Sequence, residues 1–250
     1  MKTLSMILLF AVTASAQLKP IAYKDGAQKL NGFAISPSKA KAPGVLVLPA
    51  WRGIDPHAKD SAEKLAKMGY HAFIADIYGE GNIPKDNKEA GEQSGKFKAD
   101  FRLYQSRIRA ALDQLIAQGA DPDRIAIIGY CFGGTGALEA ARANFPVQGV
   151  VSFHGGLGRD AKRPVEKIGP KILVCHGADD FFVPEDEIDA FHKEMKDAKA
   201  DWQMIYYADA VHAFTEPSAG SDKSKGTAYN EKAAKRSWEH MKQFLDEILN

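Results

Sequence analysis

Residues 125–136, Ile-Ala-Ile-Ile-Gly-Tyr-Cys-Phe-Gly-Gly-Thr-Gly, constrain this chain more than any other stretch. Ile125 to Ile128 read as an apolar strand, and a small-residue helix is expected from near Gly134 through Ala137, Leu138, Ala140 and Ala141. Between them, Gly129-x-Cys131-x-Gly133 has the spacing of a nucleophile elbow, G-x-S-x-G, with cysteine in place of serine. A strand that turns sharply into a helix strains its corner residue, and flanking glycines let the two segments approach. The corner side chain then stands clear of the sheet with a helix N-terminus behind it. That helix end favours a thiolate and offers backbone N–H groups to an oxyanion. The alternative is a buried structural cysteine in a nucleotide-binding turn, but the G-x-G-x-x-G spacing of such a turn is absent.

The rest of the chain supplies a setting for that corner. Gln28 to Ser36 alternates apolar and polar residues as a strand does, and the Pro-rich run 36–43 reads as a loop. Gly44 to Leu48 is continuously apolar, as expected of a strand covered on both faces, and is followed by Pro49-Ala50-Trp51-Arg52-Gly53. A helix over Ala58 to Met68 stops at Gly69, and Tyr70 to Ala75 forms the next strand. Residues 81–95 are polar and punctuated by Pro84 and Gly91, which suits either a cap over the site or a surface connection. An amphipathic helix carries Phe101, Tyr104, Ile108, Ala111, Leu112 and Leu115 on one face. Further strands are expected at Val147–Phe153, Lys171–Cys175 and Trp202–Tyr207, with helices at Pro184–Lys196 and Glu231–Leu249. Strand alternating with helix, without internal repeats or a linker, implies one α/β domain with a mostly parallel sheet flanked by helices on both faces.

The first 16 residues stand apart. Lys2, a short apolar run and Ala14-x-Ala16 fit a secretory signal peptide cleaved after Ala16, and the run is too short for a membrane span. The expected organisation is therefore a leader over 1–16 and a single domain over 17–250, exported to the periplasm or secreted, with no membrane attachment after cleavage. The formal net charge of +1, with acids and bases interspersed, provides no basic face for nucleic acid. Two cysteines in an exported protein raise the question of a disulfide. If Cys175 ends the second strand beyond Cys131, roughly 9–10 Å separates them. A disulfide needs Cα atoms within about 7 Å, so two free thiols are expected.

In parallel α/β sheets, ligands bind at the carboxyl ends of the strands. Asp179 and Asp180 follow one predicted strand there, and His212 follows another. Cysteine, then acid, then histidine is the chain order of an α/β-hydrolase triad. Cys131 would attack a carbonyl carbon and His212 would carry its proton. An aspartate would fix the imidazole tautomer. His154 and His176 also fall at strand ends. With no C-x-x-C or H-x-x-x-H ligand pair, a metal centre is not expected, nor is a cofactor.

The segments Gly129-Tyr-Cys-Phe-Gly-Gly134, Phe153-His-Gly-Gly156, Gly177-Ala-Asp-Asp-Phe-Phe-Val-Pro184 and Val211-His-Ala-Phe214 resemble the dienelactone hydrolase family, and the resemblance runs from about Tyr23 to Phe244. It implies the α/β-hydrolase fold, Asp180 as the acid, with Asp179 the neighbour to compare, and an oxyanion hole from the N–H groups of Phe132 and Trp51. Three departures accompany it. Ala50 stands where the family carries an activating glutamate, and Glu80 and Glu216 stand where two arginines would hold a substrate carboxylate. Tyr78 and His154 are further candidates for substrate contact, and Arg52 could supply a cation in place of the missing arginines. The expectation is a hydrolase of small esters or lactones through a cysteine acyl-enzyme, preferring neutral over anionic substrates. A catalytically silent binding protein and an acyltransferase are the alternatives.

Overall fold

The computed structural model describes residues 17–250 apart from 38 and 40, so the expected leader lies outside the described residues. Eight strands form one sheet: β1 (Lys19–Asp25), β2 (Gln28–Ile35), β3 (Gly44–Leu48), β4 (His71–Ile74), β5 (Ile125–Tyr130), β6 (Gly149–Phe153), β7 (Lys171–Gly177) and β8 (Trp202–Tyr207). Their spatial order is β1-β2-β4-β3-β5-β6-β7-β8. Every pairing from β4 to β8 is parallel, while β2 runs antiparallel to both its neighbours.

The helices are α1 (Pro56–Lys67), α2 (Asn87–Ala99), α3 (Phe101–Ala117), α4 (Phe132–Arg142), α5 (Glu185–Asp197) and α6 (Glu231–Leu249). The continuous apolar runs become interior strands because both faces of the sheet are covered. On β5, Ile125 and Ile127 face a core built with Ile108, Leu112 and Leu115 of α3. Ala126 and Ile128, pointing the opposite way, pack in a second core with Ala62 and Leu65 of α1 and Met241 and Leu245 of α6. This is the two-period alternation of strand side chains.

The topology sets the position of the site. From β3 the chain moves to β4 on one side, then returns through α2 and α3 to β5 on the other. The loops leaving β3 and β5 therefore diverge at a switch point in strand order, the place where open α/β sheets bind ligands. Trp51 follows one of these strands and Cys131 the other.

Several expectations need correction. Helix α4 begins at Phe132, not near Gly134, which makes Cys131 its N-cap residue. Glycines are poor helix formers, but here close packing requires them: a Cβ on Gly133 would lie 2.1 Å from the carbonyl oxygen of Leu48. Strand β7 continues to Gly177, so His176 lies within it. Most of the polar stretch read as a cap or surface connection contains α2. Its inward side is sparse (Ala90, Ser94 and Phe97), leaving little apolar periodicity to read. The legible signal was Asp86 with Glu89 three residues on. Asp86 Oδ1 accepts from the Glu89 N–H at 2.8 Å, capping the helix. Strand β1 was also missed, because its burial is intermittent at the edge of the sheet.

Candidate active site

Cys131 occupies the corner between β5 and α4 with φ +52° and ψ −114°, a conformation sterically costly for a residue bearing a Cβ. The corner closes because Gly129 lets the strand meet the helix; a Cβ there would fall 2.0 Å from the carbonyl oxygen of Gly133. As the first residue of α4, Phe132 has an N–H with no partner inside the helix. Its ring stacks on Tyr104 at 4.6 Å, and Tyr104 Oη donates to the Phe132 carbonyl at 2.8 Å. The start of the helix is therefore held from both side chain and backbone.

The sheet brings the other two residues to this corner. Asp180 lies in the turn after β7, where Asp179 N–H donates to the Ala210 carbonyl at 2.9 Å and ties that turn to the loop after β8. That second loop carries His212, whose own carbonyl accepts from Ala228 N–H at 3.1 Å. His212 Nε2 lies 3.0 Å from Cys131 Sγ, and its Nδ1–H donates to Asp180 Oδ2 at 2.8 Å. The other carboxylate oxygen, Asp180 Oδ1, accepts from Phe182 N–H at 3.1 Å. The Asp180 side chain is fully buried, whereas Asp179 is exposed and contributes only backbone.

The electrostatics favour an ion pair. Burial pushes the Cys131 thiol up, but the hydrogen bond and charge of His212, the charge of Lys98 and the Phe132 N–H together bring it below the ordinary thiol value. Burial pushes the His212 imidazolium down, yet its bonds to Asp180 and Cys131 outweigh that and raise it to about 10. Both shifts run toward thiolate and imidazolium, and the two groups titrate as a unit. Such a pair can attack a carbonyl carbon and protonate a leaving group.

The remaining candidates separate by position. Trp51 lies in the β3 loop, half-buried, with its carbonyl accepting from Tyr78 Oη at 2.6 Å. Tyr78 is buried and stacks on Phe132 at 5.7 Å, so it braces the loop after β3 against the start of α4. Glu80 pairs at 4.0 Å with Lys29 of the β1–β2 hairpin and is exposed. Glu216 caps a short 3₁₀ turn through Ser218 N–H at 3.3 Å. Both glutamates thus make their contacts within their own surroundings. Arg52 is exposed and donates to the Lys85 carbonyl at 3.4 Å. His154 is 2% exposed with both ring nitrogens bonded inside the protein, so a role in direct substrate contact gives way to a place beneath Cys131.

Four relevant side chains escaped the sequence reading. Lys98 sits on the unexpected helix α2, close enough to lower the Cys131 thiol. Phe182 stands edge-on to His212 with ring centroids 5.6 Å apart and is 53% exposed. Thr215 and His57 join His154. Only Phe182 had a sequence signal, as an aromatic two residues after the acid. Among the described residues, no group of three or more His, Cys, Asp or Glu could hold a metal ion.

Comparison with known proteins gives the geometry its context. A Bradyrhizobium sp protein described as a probable 2-oxo-3-(5-oxofuran-2-ylidene)propanoate lactonase is 29% identical over 202 residues, covering 77% of this chain and 81% of that one. A Salmonella typhimurium protein described as a putative carboxymethylenebutenolidase is 26% identical over 220 residues, 83% of this chain and 78% of that one. The crystal structure of a dienelactone hydrolase-like promiscuous phosphotriesterase from metagenomic libraries superposes with a TM-score of 0.89 at 36% identity. It covers 95% of this chain and 100% of its own. Residues 30–249, from the second strand to the end of the last helix, match the dienelactone hydrolase family, and the chain belongs to that family of hydrolases.

Proposed function

We propose that this enzyme hydrolyses small esters or lactones through a thioester on Cys131, with His212 moving the proton and Asp180 orienting it. The supporting observation is the unbroken chain from Asp180 Oδ2 through His212 to Cys131 Sγ, with links of 2.8 and 3.0 Å. The Cys131 thiolate attacks the carbonyl carbon, and the carbonyl π electrons move onto oxygen between the Phe132 and Trp51 N–H groups. Collapse expels the alkoxide, which takes the proton from His212 Nε2. In a lactone, that alkoxide stays tethered to the acyl group. A water then gives a proton to His212 and attacks the thioester, and the acid leaves as the thiolate and imidazolium pair re-forms. Once the thiolate is consumed, His212 keeps Asp180 but loses the Cys131 share of what raised it, so it becomes a better base when deacylation requires one.

Ala50 places no carboxylate in the β3 loop, and the thiolate is already paired with His212. Activation therefore needs no anionic substrate, and neutral esters should turn over. The similarity to a promiscuous phosphotriesterase makes a neutral phosphotriester the second substrate to assay. Rapid mixing with a short-chain aryl acetate, followed by acid quench and intact mass, should reveal one acyl group on Cys131. Steady turnover with no adduct, and with activity retained in Cys131→Ala, would remove the thioester from the mechanism. Export remains part of the proposal, with Gln17 as the mature N-terminus. Protein recovered from its source with Met1 retained would overturn that part alone.

A further inference from the structure

A hydrogen-bonded chain that includes none of the three reacting side chains runs beneath them. Cys131 N–H is shared between the Phe153 carbonyl at 3.0 Å and His154 Nδ1 at 3.2 Å. On the other side of the same ring, His154 Nε2 lies 2.8 Å from Thr215 Oγ1. Thr215 Oγ1 lies in turn 3.3 Å from His57 Nε2, and the His57 ring packs edge-on to Tyr130 at 4.5 Å.

The roles in this chain are fixed by elimination. A backbone amide can only donate, so His154 Nδ1 must be the bare nitrogen. Nε2 then carries the proton and donates to Thr215, whose hydroxyl proton is left for His57 Nε2. The His154 ring is 2% exposed and makes edge contacts with His212 at 5.3 Å and Phe214 at 5.1 Å. Its backbone, like that of Cys131, lies at positive φ, here +40°. A non-glycine residue held there, beside a strained nucleophile, marks a place where surrounding contacts over-determine the conformation.

We propose that His154 is a positioning residue: a neutral imidazole strut that joins the amide of the nucleophile to the loop carrying His212, through Thr215, and so sets the separation of Cys131 Sγ and His212 Nε2. The proposal rests on the thioester reading above. The two ends of the strut sit on different elements, the β5 corner and the loop after β8, which share no direct strand pairing. Imidazole suits the task because it is rigid and presents one acceptor and one donor on separate edges. The neutral form is required twice over. A protonated ring would turn an N–H toward the Cys131 N–H, and it would set a second cation beside the His212 imidazolium. Burial, together with the charges of His212, His57 and His176, holds the ring well below the ordinary imidazole value.

The test compares His154→Leu, His154→Asn, Thr215→Val and Thr215→Ser with the parent protein. Turnover of an aryl acetate is measured alongside the pH dependence of Cys131 alkylation by iodoacetamide. The second reading reports the thiolate pair without any hydrolysis, so it separates failure of the strut from failure of the thioester mechanism. A loosened reacting pair should lower kcat by about 10²-fold in His154→Leu with KM little changed, since small misplacements have effects of that order. Its alkylation midpoint should move to higher pH. In His154→Asn, Oδ1 can replace Nδ1 as acceptor but nothing reaches Thr215, so that variant should do no better than Thr215→Val while exceeding His154→Leu. Thr215→Val, which is nearly isosteric and keeps the fold, should lose activity where Thr215→Ser does not. It should add little in the His154→Leu background, because linked residues act non-additively. The strut is refuted if His154→Leu and Thr215→Val only lower the melting temperature, with kcat and the alkylation midpoint unmoved. It is equally refuted if the two losses multiply independently.

Discussion

Cys131 and Cys175 make a controlled pair inside one sheet. Both are free thiols at the carboxyl side of parallel strands, and β7 lies two places from β5. Burial acts on both in the same direction, against the thiolate. Cys175 sits within β7, in regular strand geometry and fully buried, with Tyr207 Oη at 3.5 Å as its polar neighbour; its thiol is pushed up to about 12. Cys131 lies one residue past the end of its strand, at a strained corner that turns Sγ toward His212. The lesson is that enclosure alone makes a cysteine inert. In the proposed mechanism, reactivity comes from a backbone corner that aims the sulfur and from an imidazole placed to receive its proton.

The largest effect expected is from removing one sulfur or the other. Cys131→Ala should lower kcat for an aryl ester by at least about 10⁴-fold with the fold intact, because no other nucleophile occupies the corner. Cys131→Ser should retain a small residual rate, since a hydroxyl is far less acidic than a thiol. Cys175→Ala should leave kcat within about twofold and lower stability by about 1 kcal/mol, the scale for a small buried truncation. Kinetics and thermal melting on the same samples check both halves. Comparable activity losses at the two positions would end the contrast.

A second, smaller contrast tests the partner that Cys175 lacks. Asp180 is buried and bonded to His212, while Asp179 is exposed and uses only its backbone in the turn. Asp180→Asn should lower kcat by about 10³–10⁴-fold through the wrong imidazole tautomer and loss of the counter-charge. Asp179→Asn should change it by less than about threefold, the scale of an exposed charge. The reverse ranking in kcat would move the acid by one residue and break the assigned chain.

Much of this is legible in the sequence. The elbow, the order of cysteine, acid and histidine, and the two-sided sheet all follow from local pattern, because strands buried on both faces must be apolar throughout. The choice of Asp180 over Asp179 rested on resemblance, and the structure supplies a physical reason in burial. What could not be read depends on distant partners. Glu80 and Glu216 could be taken for groups facing substrate, since no sequence rule shows that Lys29 or Ser218 occupies them. Helix α2 was hidden because three small or isolated inward residues leave almost no periodicity. The brace on Cys131 N–H joins residues 57, 131, 154 and 215, a set with no spacing to detect.

The smallest effect concerns Lys98, the charge that α2 brings toward Cys131 and away from Cys175. Iodoacetamide measures it directly. At a pH just under the ordinary thiol value it should alkylate Cys131, whose thiol is lowered, and leave Cys175 untouched, because that sulfur stays protonated until about pH 12. The Cys131 rate should level off at a lower pH than that of an ordinary thiol and fall as the pH drops through its lowered value. Hydrolysis should follow the same acid limb. It should also fall above about pH 10, where His212 gives up the proton that the leaving alkoxide needs. Lys98→Met removes one exposed cation, so the thiolate should become slightly harder to form. Interactions at such exposure are weak and screened by salt, which sets the expected slowing of alkylation on the acid limb at about twofold. High salt should shrink that difference toward nothing, since mobile ions screen the ammonium that the variant lacks. The His212 contribution, made across a 3.0 Å contact, should persist in salt. An undiminished Lys98 effect at high salt would mean that the lysine contacts the sulfur directly. The reactivity of Cys131 would then need two cations, where the contrast with Cys175 requires only one.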